Sequence, residues 1–459
     1  TSTLNYRIIL TEDDFNAFYG ELAKAEVFAF DTETDSLDTV NVRLVGMSFA
    51  LKPHHAVYIP LQHDYDNAPT QLPLQWVINK IKPILENEKI TKIAQNAKFD
   101  LKVLSTIGIN VKGVQYDTML ESYVLNSSVT RHDMDSLANH YLHVKTVSFE
   151  ELAGKGKKQL TLNQIDITKV GFYAAEDADI TFQLKQIFEP EIQKEHLKEL
   201  FYKVEMPLVD VLKCMEQEGI AIDSDGLIKY SSELGQLLDE LETSIKKEAG
   251  MDFNIDSPKQ LGQVLFDHLE ISSKAKKTKT GQYATGEDVL QKLKHAHAIV
   301  PMILDYRQLR KLKNTYVDPL PELLDPLDHR IHTNYMQTVA ATGRLSSNNP
   351  NLQNIPIRSE KGREIRKAFI SRGEGFKLMA ADYSQIELRI IAALSNDKNM
   401  IEAFKNGDDI HAATASKVFN TPINEVTRDQ RSSAKAVNFG IIYGQSAFGL
   451  AQNLNIKKI

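Results

Sequence analysis

Near the N-terminus, Val27-Phe-Ala-Phe-Asp-Thr-Glu33 is an apolar run ending in two carboxylates spaced two apart. A strand repeats every two residues, so Asp31 and Glu33 are expected on one face. Residues 42–51 and 56–59 read as further strands of the same sheet, predicting a meander. Lys92-Ile-Ala-Gln-Asn-Ala-Lys-Phe-Asp100 reads as a short strand feeding a helix through Leu101, Val103 and Leu104. Asn96 and Asp100 are four apart and are expected to share a helical face. Gly171 to Asp179 opens another helix, with Tyr173 and Asp177 at the same spacing. From Ile187 to Lys247 helical spacing dominates, with Leu208, Val211, Leu212 and Met215, then Leu227, Leu234, Leu237 and Leu238. Glu218-Gly219 interrupts it and Ile220-Ala-Ile222 reads as extended, predicting a helical hairpin. Asn254 to Pro258 begins another helix, with Ser257 as cap and Pro258 in the first turn. His332 to Val339 alternates like a strand. Lys377-Leu-Met-Ala-Ala381 reads as a buried strand delivering Asp382 at its end. Helical spacing then resumes at Ile386, Leu388, Ile390, Ile391 and Leu394, which places Glu387 on an opening turn.

With 459 residues, 42% hydrophobic and 25% charged, the chain has room for two to four globular domains. No apolar run approaches a membrane span and the N-terminus carries no signal-peptide pattern. One cysteine, Cys214, excludes an intramolecular disulfide and suits a reducing cytosol. Its neighbours Val211 and Leu212 predict a buried thiol. The net charge of -7 argues mildly against blanket nucleic-acid binding. Acidic metal sites add negative charge, however, and DNA contacts can come from local basic patches.

Asp31 and Glu33 on one strand face repel, and a divalent cation between them removes that penalty. Asp-x-Glu, Asn-x-x-x-Asp and Tyr-x-x-x-Asp, in that order, supply four carboxylates (Asp31, Glu33, Asp100, Asp177), a set that would suit two oxygen-loving ions. His132-Asp133 reads as a helix start and packing rather than as a metal pair. Gly154-Lys-Gly-Lys-Lys-Gln159 reads as a glycine- and lysine-rich loop, expected to be mobile and a candidate to lie near a single strand. Lys274, Lys276, Lys277 and Lys279 form a short basic run. Such a run is by default a solvated face, but between long helices it reads as a tip gripping duplex phosphates. Lys311 and Lys313 are further phosphate candidates. Arg344, Gln353 and Asn354 lie in Gly-, Ser- and Asn-rich turns and can donate to bases, sugars or phosphates. Arg431, Lys435, Phe439 and Tyr443 recur every four residues. Two cations followed by two aromatics match a triphosphate followed by a sugar and base.

The string Asp382-Tyr-Ser-Gln-Ile-Glu387 resembles the first palm motif of the bacterial family A DNA polymerases. Arg431 to Gly444 resembles their O-helix, and the carboxylate pattern resembles the DEDD-type 3′–5′ exonucleases of the Tyr subclass. The resemblance covers essentially the whole chain. It implies an α/β exonuclease domain, a mixed sheet flanked by helices and ribonuclease H-like, at 1–190. A right-hand polymerase domain would follow: thumb and connecting helices at 191–328, palm at 329–395 and fingers at 396–459. The implied activities are template-directed DNA synthesis from dNTPs and proofreading hydrolysis of the primer end. Both would use two Mg²⁺ ions per site, with Mn²⁺ able to substitute.

By the same resemblance, Asp31, Glu33, Asp100 and Asp177 hold the exonuclease metals and Tyr173 orients the water. Asp382 and the Tyr383 carbonyl hold the polymerase metals. Glu387 gates the ribose 2′-hydroxyl, and His411, Arg431 and Lys435 meet the triphosphate. Phe439 and Tyr443 complete the dNTP site, and Phe439 in place of Tyr implies discrimination against dideoxynucleotides. Asn96, the four tip lysines and Lys313 contact DNA; Arg344 and Gln353 touch the minor groove, Asn354 lies beside them, and Arg358 faces backbone. The partners implied are primer–template DNA, a single-stranded 3′ end and dNTPs, bound by a monomer in a bacterial cytoplasm, associated with the nucleoid. Set against the family pattern, the sequence as given is expected to correspond to the large fragment, without the 5′-nuclease domain, and to stop before the family's second palm carboxylate; a polypeptide of these residues alone is expected to have an incomplete polymerase domain and to be impaired in synthesis. Two other readings are a stand-alone exonuclease, to which a thumb tip and O-helix stripe are superfluous, and a non-catalytic primer–template binding module, to which four exonuclease carboxylates are superfluous.

Overall fold

The computed structural model describes residues 3–128, 131–273, 275–357, 359–447 and 449–450. The chain divides into two compact units, Thr1–Lys377 and Leu378–Ile459. The first begins with a six-stranded mixed sheet in the order β1-β4-β3-β2-β5-β6. Its strands are β1 (Asn5–Ile8), β2 (Val27–Thr34), β3 (Leu44–Lys52), β4 (His55–Pro60), β5 (Thr91–Ala94) and β6 (Val114–Asp117). β2, β3 and β4 form the expected antiparallel meander, while β1, β5 and β6 pair in parallel. The central strands β2, β3 and β4 are largely buried on both faces and read as near-continuous apolar runs for that reason.

Helices α1 (Glu12–Leu22), α2 (Leu74–Leu85) and α3 (Ala97–Thr106) connect these strands, and α4 (Thr118–Leu125), short α5 (Met134–Leu137) and short α6 (Phe149–Ala153) follow β6. The long α7 (Ile167–Lys194) lays Val170, Ala174, Ala175 and Ala178, all fully buried, against the sheet. Small residues there let the helix come close. Gly46 on β3 serves a similar need: a Cβ would stand 2.2 Å from the Tyr58 hydroxyl.

Helices α8 (Lys198–Leu200) and α9 (Met206–Glu218) lead to β7 (Ile220–Ile222) and α10 (Ser224–Ala249), the expected hairpin with its break at Gly219. α11 (Pro258–Gln263) starts as expected, the Ser257 side chain accepting from Gln260 N. α10 packs with α12 (Glu287–Lys292), α13 (Ile299–Leu312) and α14 (Pro319–Glu322) around a second core that includes Leu234, Leu238, Ile303 and Leu309. β8 (Arg330–Ile331), β9 (Asn334–Met336), β10 (Ser346–Asn348), α15 (Glu360–Lys367) and β11 (Phe369–Ile370) complete the unit. The expected strand at 332–339 is thus only three residues of β9. The expected strand at 377–381 does not form: no described residue pairs with it, and Met379 is 90% exposed. An apolar run becomes a strand only beside a partner strand.

A buried ion network ties α3 and α9 to β9. Glu216, fully buried on α9, accepts from Lys102 Nζ at 2.8 Å and from the Tyr335 N–H at 2.7 Å, and it also pairs with Lys98. Cys214 on the same helix is exposed, against expectation. Val209, Leu212 and Glu216 face inward, which turns Val211, Cys214 and Met215 outward.

The second unit is α16 (Ile386–Ser395), α17 (Lys398–Asn406), α18 (Ile410–Phe419) and α19 (Arg428–Ile442). α19 is entered through a capping box of Thr427 and Gln430. No described helix is long and apolar enough to cross a membrane.

Candidate active sites

Asp31, Glu33 and Asp177 converge where β2 passes α7, with one carboxylate oxygen from each lying within 4.8 Å of the others. Among the described residues this is the sole group of three or more acidic, histidine or cysteine side chains close enough to share an ion. Glu33 is buried and its Oε1 has no hydrogen-bond partner. Loss of water pushes the Asp31 carboxyl up to about 7. Burial raises Glu33 further, aided by the charges of Asp31, Asp177 and Asp100. Burial and the Asp31 charge likewise raise Asp177. Tyr173, one turn before Asp177, hydrogen-bonds to that carboxylate, whose charge, with burial, holds the phenol protonated. Clustered carboxylates that repel one another, with an unsatisfied oxygen among them, suit divalent cations that would favour their ionised forms.

Asp100 stands beside this trio rather than within it. β5 pairs with β2 only through Ala29, so the next part of β2 has no β5 neighbour. Asp100, in the first turn of α3, occupies that place and accepts from Thr32 N at 3.0 Å and Thr32 Oγ1 at 2.6 Å. Burial and the Asp31 charge raise its pKa. Asn96 precedes α3 in the left-handed conformation, φ 62°, and is exposed. It therefore sits at the cap and not on the helical face expected for it. Asp117 fixes this junction from below: its carboxylate accepts from Asn96 N at 3.0 Å and Ala97 N at 2.8 Å and also caps α4. Sequence reading missed both Thr32 and Asp117. The placement of Asp117 at a strand end before an apolar helix was the available signal. His132 and Asp133 do pack and cap as expected, Asp133 accepting from Ser136 N.

The duplex candidates of this unit are dispersed. Lys276, Lys277 and Lys279 are exposed on the turn after α11, Lys277 lying over the Tyr283 ring. Lys313 is engaged internally, at 2.9 Å from Asp318 Oδ1. Lys311 is exposed on α13. Arg344, Gln353 and Asn354 are exposed. Lys274 and Arg358 lie outside the described residues.

In the second unit the four-residue stripe forms on α19. The Phe439 and Tyr443 rings stack with centroids 6.2 Å apart, and Lys435 Nζ lies 6.0 Å from the Phe439 centroid. Arg431 Nε is 2.6 Å from Asp409 Oδ2, and Asp409 also caps α18. His411 is buried beside Phe439, and Asn438 Nδ2 lies 3.1 Å from His411 Nδ1. Burial and the Arg431 charge lower the His411 pKa. Asn438 was not foreseen. Glu387, on the opening turn of α16 as expected, accepts from the Tyr443 hydroxyl. Asp382 and Tyr383 are exposed.

Comparison with known proteins fits this layout. Residues 6–193 match the model of a 3′–5′ exonuclease. DNA polymerase I of Pseudomonas aeruginosa is 49% identical over 459 residues, covering 99% of this chain and 50% of that protein. DNA polymerase I of Chloroflexus aurantiacus is 45% identical over 95% of this chain and 46% of its own length. The chain spans about half the length of these curated relatives. A solved structure of the POL domain of Pol1 from M. smegmatis, in complex with DNA primer–template and dNTP, superposes with a TM-score of 0.83 at 34% identity, covering 98% of this chain and 74% of that one. The α/β sheet domain is thus of the exonuclease type and the remainder of the polymerase type. The model of DNA polymerase family A matches residues 224–459, just over half of the chain, and the chain belongs to that family.

Proposed function

We propose that the protein hydrolyses the 3′ end of a DNA strand at the Asp31–Glu33–Asp177 centre and that residues 329–459 contribute the primer and dNTP contacts of template-directed synthesis. The convergence of those three carboxylates around an unsatisfied buried oxygen carries the first half of the reading. Asp31, Glu33, Asp177 and Asp100 would hold Mg²⁺ or Mn²⁺, which when bound activates water and stabilises the leaving oxygen of a phosphodiester. The Tyr173 hydroxyl, hydrogen-bonded to Asp177, would orient a water beside the scissile phosphate. Asp100, fixed by Thr32, keeps α3 and the exposed Asn96 in register with β2, where Asn96 meets the single strand.

For synthesis, Arg431 and Lys435 neutralise triphosphate charge and Phe439 and Tyr443 receive the base and sugar. His411 supports the stripe from beneath and reaches the triphosphate edge. Glu387 excludes a 2′-hydroxyl. Asp382, with the Tyr383 carbonyl, is the palm ligand for Mg²⁺. Lys276, Lys277, Lys279, Arg344, Gln353 and Asn354 contact duplex DNA, while Lys313 stays paired with Asp318. In this reading 1–190 is the exonuclease domain, 191–328 the thumb, 329–395 palm and 396–459 fingers. The protein works as a monomer in the cytoplasm, at the nucleoid.

The deciding experiment uses a 5′-labelled primer–template with Mg²⁺ and the four dNTPs, comparing the chain with Asp31→Ala. Shortening of the primer by the wild type and its loss in the variant support the hydrolytic half. Extension, clearest in the variant, supports the synthetic half. Shortening that persists in Asp31→Ala sinks the carboxylate assignment.

A further inference from the structure

The hydrogen bonds of Tyr123 tie α4 to the turn that precedes Arg344. This residue lies on α4, next to the carboxylate-bearing sheet, and is 5% exposed. Its hydroxyl donates to Ala340 O at 2.6 Å and accepts from the Gly343 N–H at 3.0 Å. Ser127, one turn on, donates to Ala341 O at 3.2 Å. These bonds fasten both ends of a largely exposed turn, just before which Val339 is 61% exposed. Gly343 takes φ +82°, a conformation open to glycine, and residues 341–344 are exposed. Arg344 is the next residue.

On its other side the Tyr123 ring meets His132 edge-on, with centroids 5.7 Å apart. His132 Nδ1 lies 2.9 Å from Ser122 Oγ, and His132 O accepts from Gln95 Nε2 at 2.8 Å. Gln95 precedes Asn96. A chain of packed and hydrogen-bonded groups therefore runs from the single-strand side, Asn96, through Gln95, His132 and Tyr123, to Gly343 and Arg344 on the duplex side.

We propose that Tyr123 is a positioning residue for duplex DNA: its hydroxyl holds the Ala340–Gly343 turn in the conformation that presents Arg344 to the primer–template. The inference rests on the DNA-binding reading above. It makes a residue of the exonuclease region a determinant of how firmly the polymerase region holds its duplex.

The test measures dissociation constants by fluorescence anisotropy for a primer–template duplex and a single-stranded oligonucleotide, at one fixed salt concentration. The proteins are wild type, Tyr123→Phe, Arg344→Ala and the double variant. Phe keeps the ring against His132 and removes both hydroxyl bonds. Duplex affinity is expected to fall about three- to ten-fold in Tyr123→Phe, the effect of one or two hydrogen bonds. Single-strand affinity should hold, and the double variant should bind duplex no worse than Arg344→Ala, since both changes remove one contact. Equal losses on both DNAs, additive losses in the double variant, or no loss in Tyr123→Phe overturn the inference. A wild type that fails to bind duplex, or an Arg344→Ala that binds like it, overturns the DNA-contact reading itself. If Tyr123→Phe melts early, Ser127→Ala serves instead, with a smaller duplex-selective loss expected and no loss counting against the proposal.

Discussion

Thr32 gives Asp100 two hydrogen bonds, one from its backbone N–H and one from its hydroxyl, across the gap in the sheet beyond Ala29. The hydroxyl is the removable half. Thr32→Val keeps shape and strand preference but leaves Asp100 one donor short. Partners that orient a metal-binding carboxylate commonly matter by about 10- to 100-fold. Single-turnover excision of a labelled single strand is expected to slow by that factor in Thr32→Val and to recover in Thr32→Ser. Equal slowing in both variants would refute the role of the hydroxyl.

Glu216 offers a test of stability. It is buried, and the Lys98 and Lys102 side chains are each only 11% exposed. Burial pulls the Lys98 pKa down while Glu216 opposes that pull. Truncation by Glu216→Ala removes the counter-charge of two near-buried ammonium groups, of which Lys98 keeps Asn334 Oδ1 and Tyr335 O as acceptors, and leaves the Tyr335 N–H without this partner. Breaking one partner of a buried pair costs about 3–5 kcal/mol. The urea midpoint of the first unit should drop accordingly, with β9 loosened from α3. An unchanged midpoint would show that water replaces the carboxylate.

The pH response has a definite sign at His63. Its ring lies between the Tyr58 hydroxyl at 2.8 Å and Ile165 O at 3.2 Å, and burial lowers its pKa to about 4 despite the pull of Asp64 and Asp166. A depressed folded-state pKa means the unfolded chain binds the proton more readily. The stability due to the neutral ring is therefore present above pH 6.5 and lost as the pH falls toward 4. His63→Asn should flatten the melting temperature between those pH values relative to the wild type. Parallel pH profiles for the two proteins would show that the ring contributes nothing to the acid limb.

How far the sequence reveals the site depends on where each partner lies. Asp31 and Glu33 were readable as one-faced because strand period alone sets their direction. The Tyr173–Asp177 bond followed from helical spacing in the same way. Thr32 was invisible because its partner, Asp100, comes from a distant helix that takes the place of β5. Lys313 looked like a phosphate contact from composition, yet Asp318, five residues on, already holds it. The strand expected at 377–381 shows the opposite limit: its apolar residues are real, but pairing is a tertiary property. Cys214 misled because Val211, taken as core, points outward with it.

The last prediction concerns Tyr443 and Glu387. The hydroxyl donates to Glu387 Oε2 at 2.5 Å, so the end of α19 and the opening turn of α16 are joined at a carboxylate proposed to sense the sugar. The stacked Phe439 aligns the same ring from the preceding turn. Tyr443→Phe preserves the stack and removes this bond to the carboxylate. Tyr443 is 64% exposed, so the bond is worth only about 0.5–1.5 kcal/mol, or a few-fold in an equilibrium constant. Preference for dNTP over rNTP, measured as the affinity ratio on a dideoxy-terminated primer–template, should fall about that much in Tyr443→Phe. It should fall further in Glu387→Ala, and no further in the double variant, since the tyrosine acts only through the carboxylate. A loss in Tyr443→Phe that persists undiminished in the Glu387→Ala background would mean that the ring meets the nucleotide directly and that its bond to Glu387 is incidental to sugar choice.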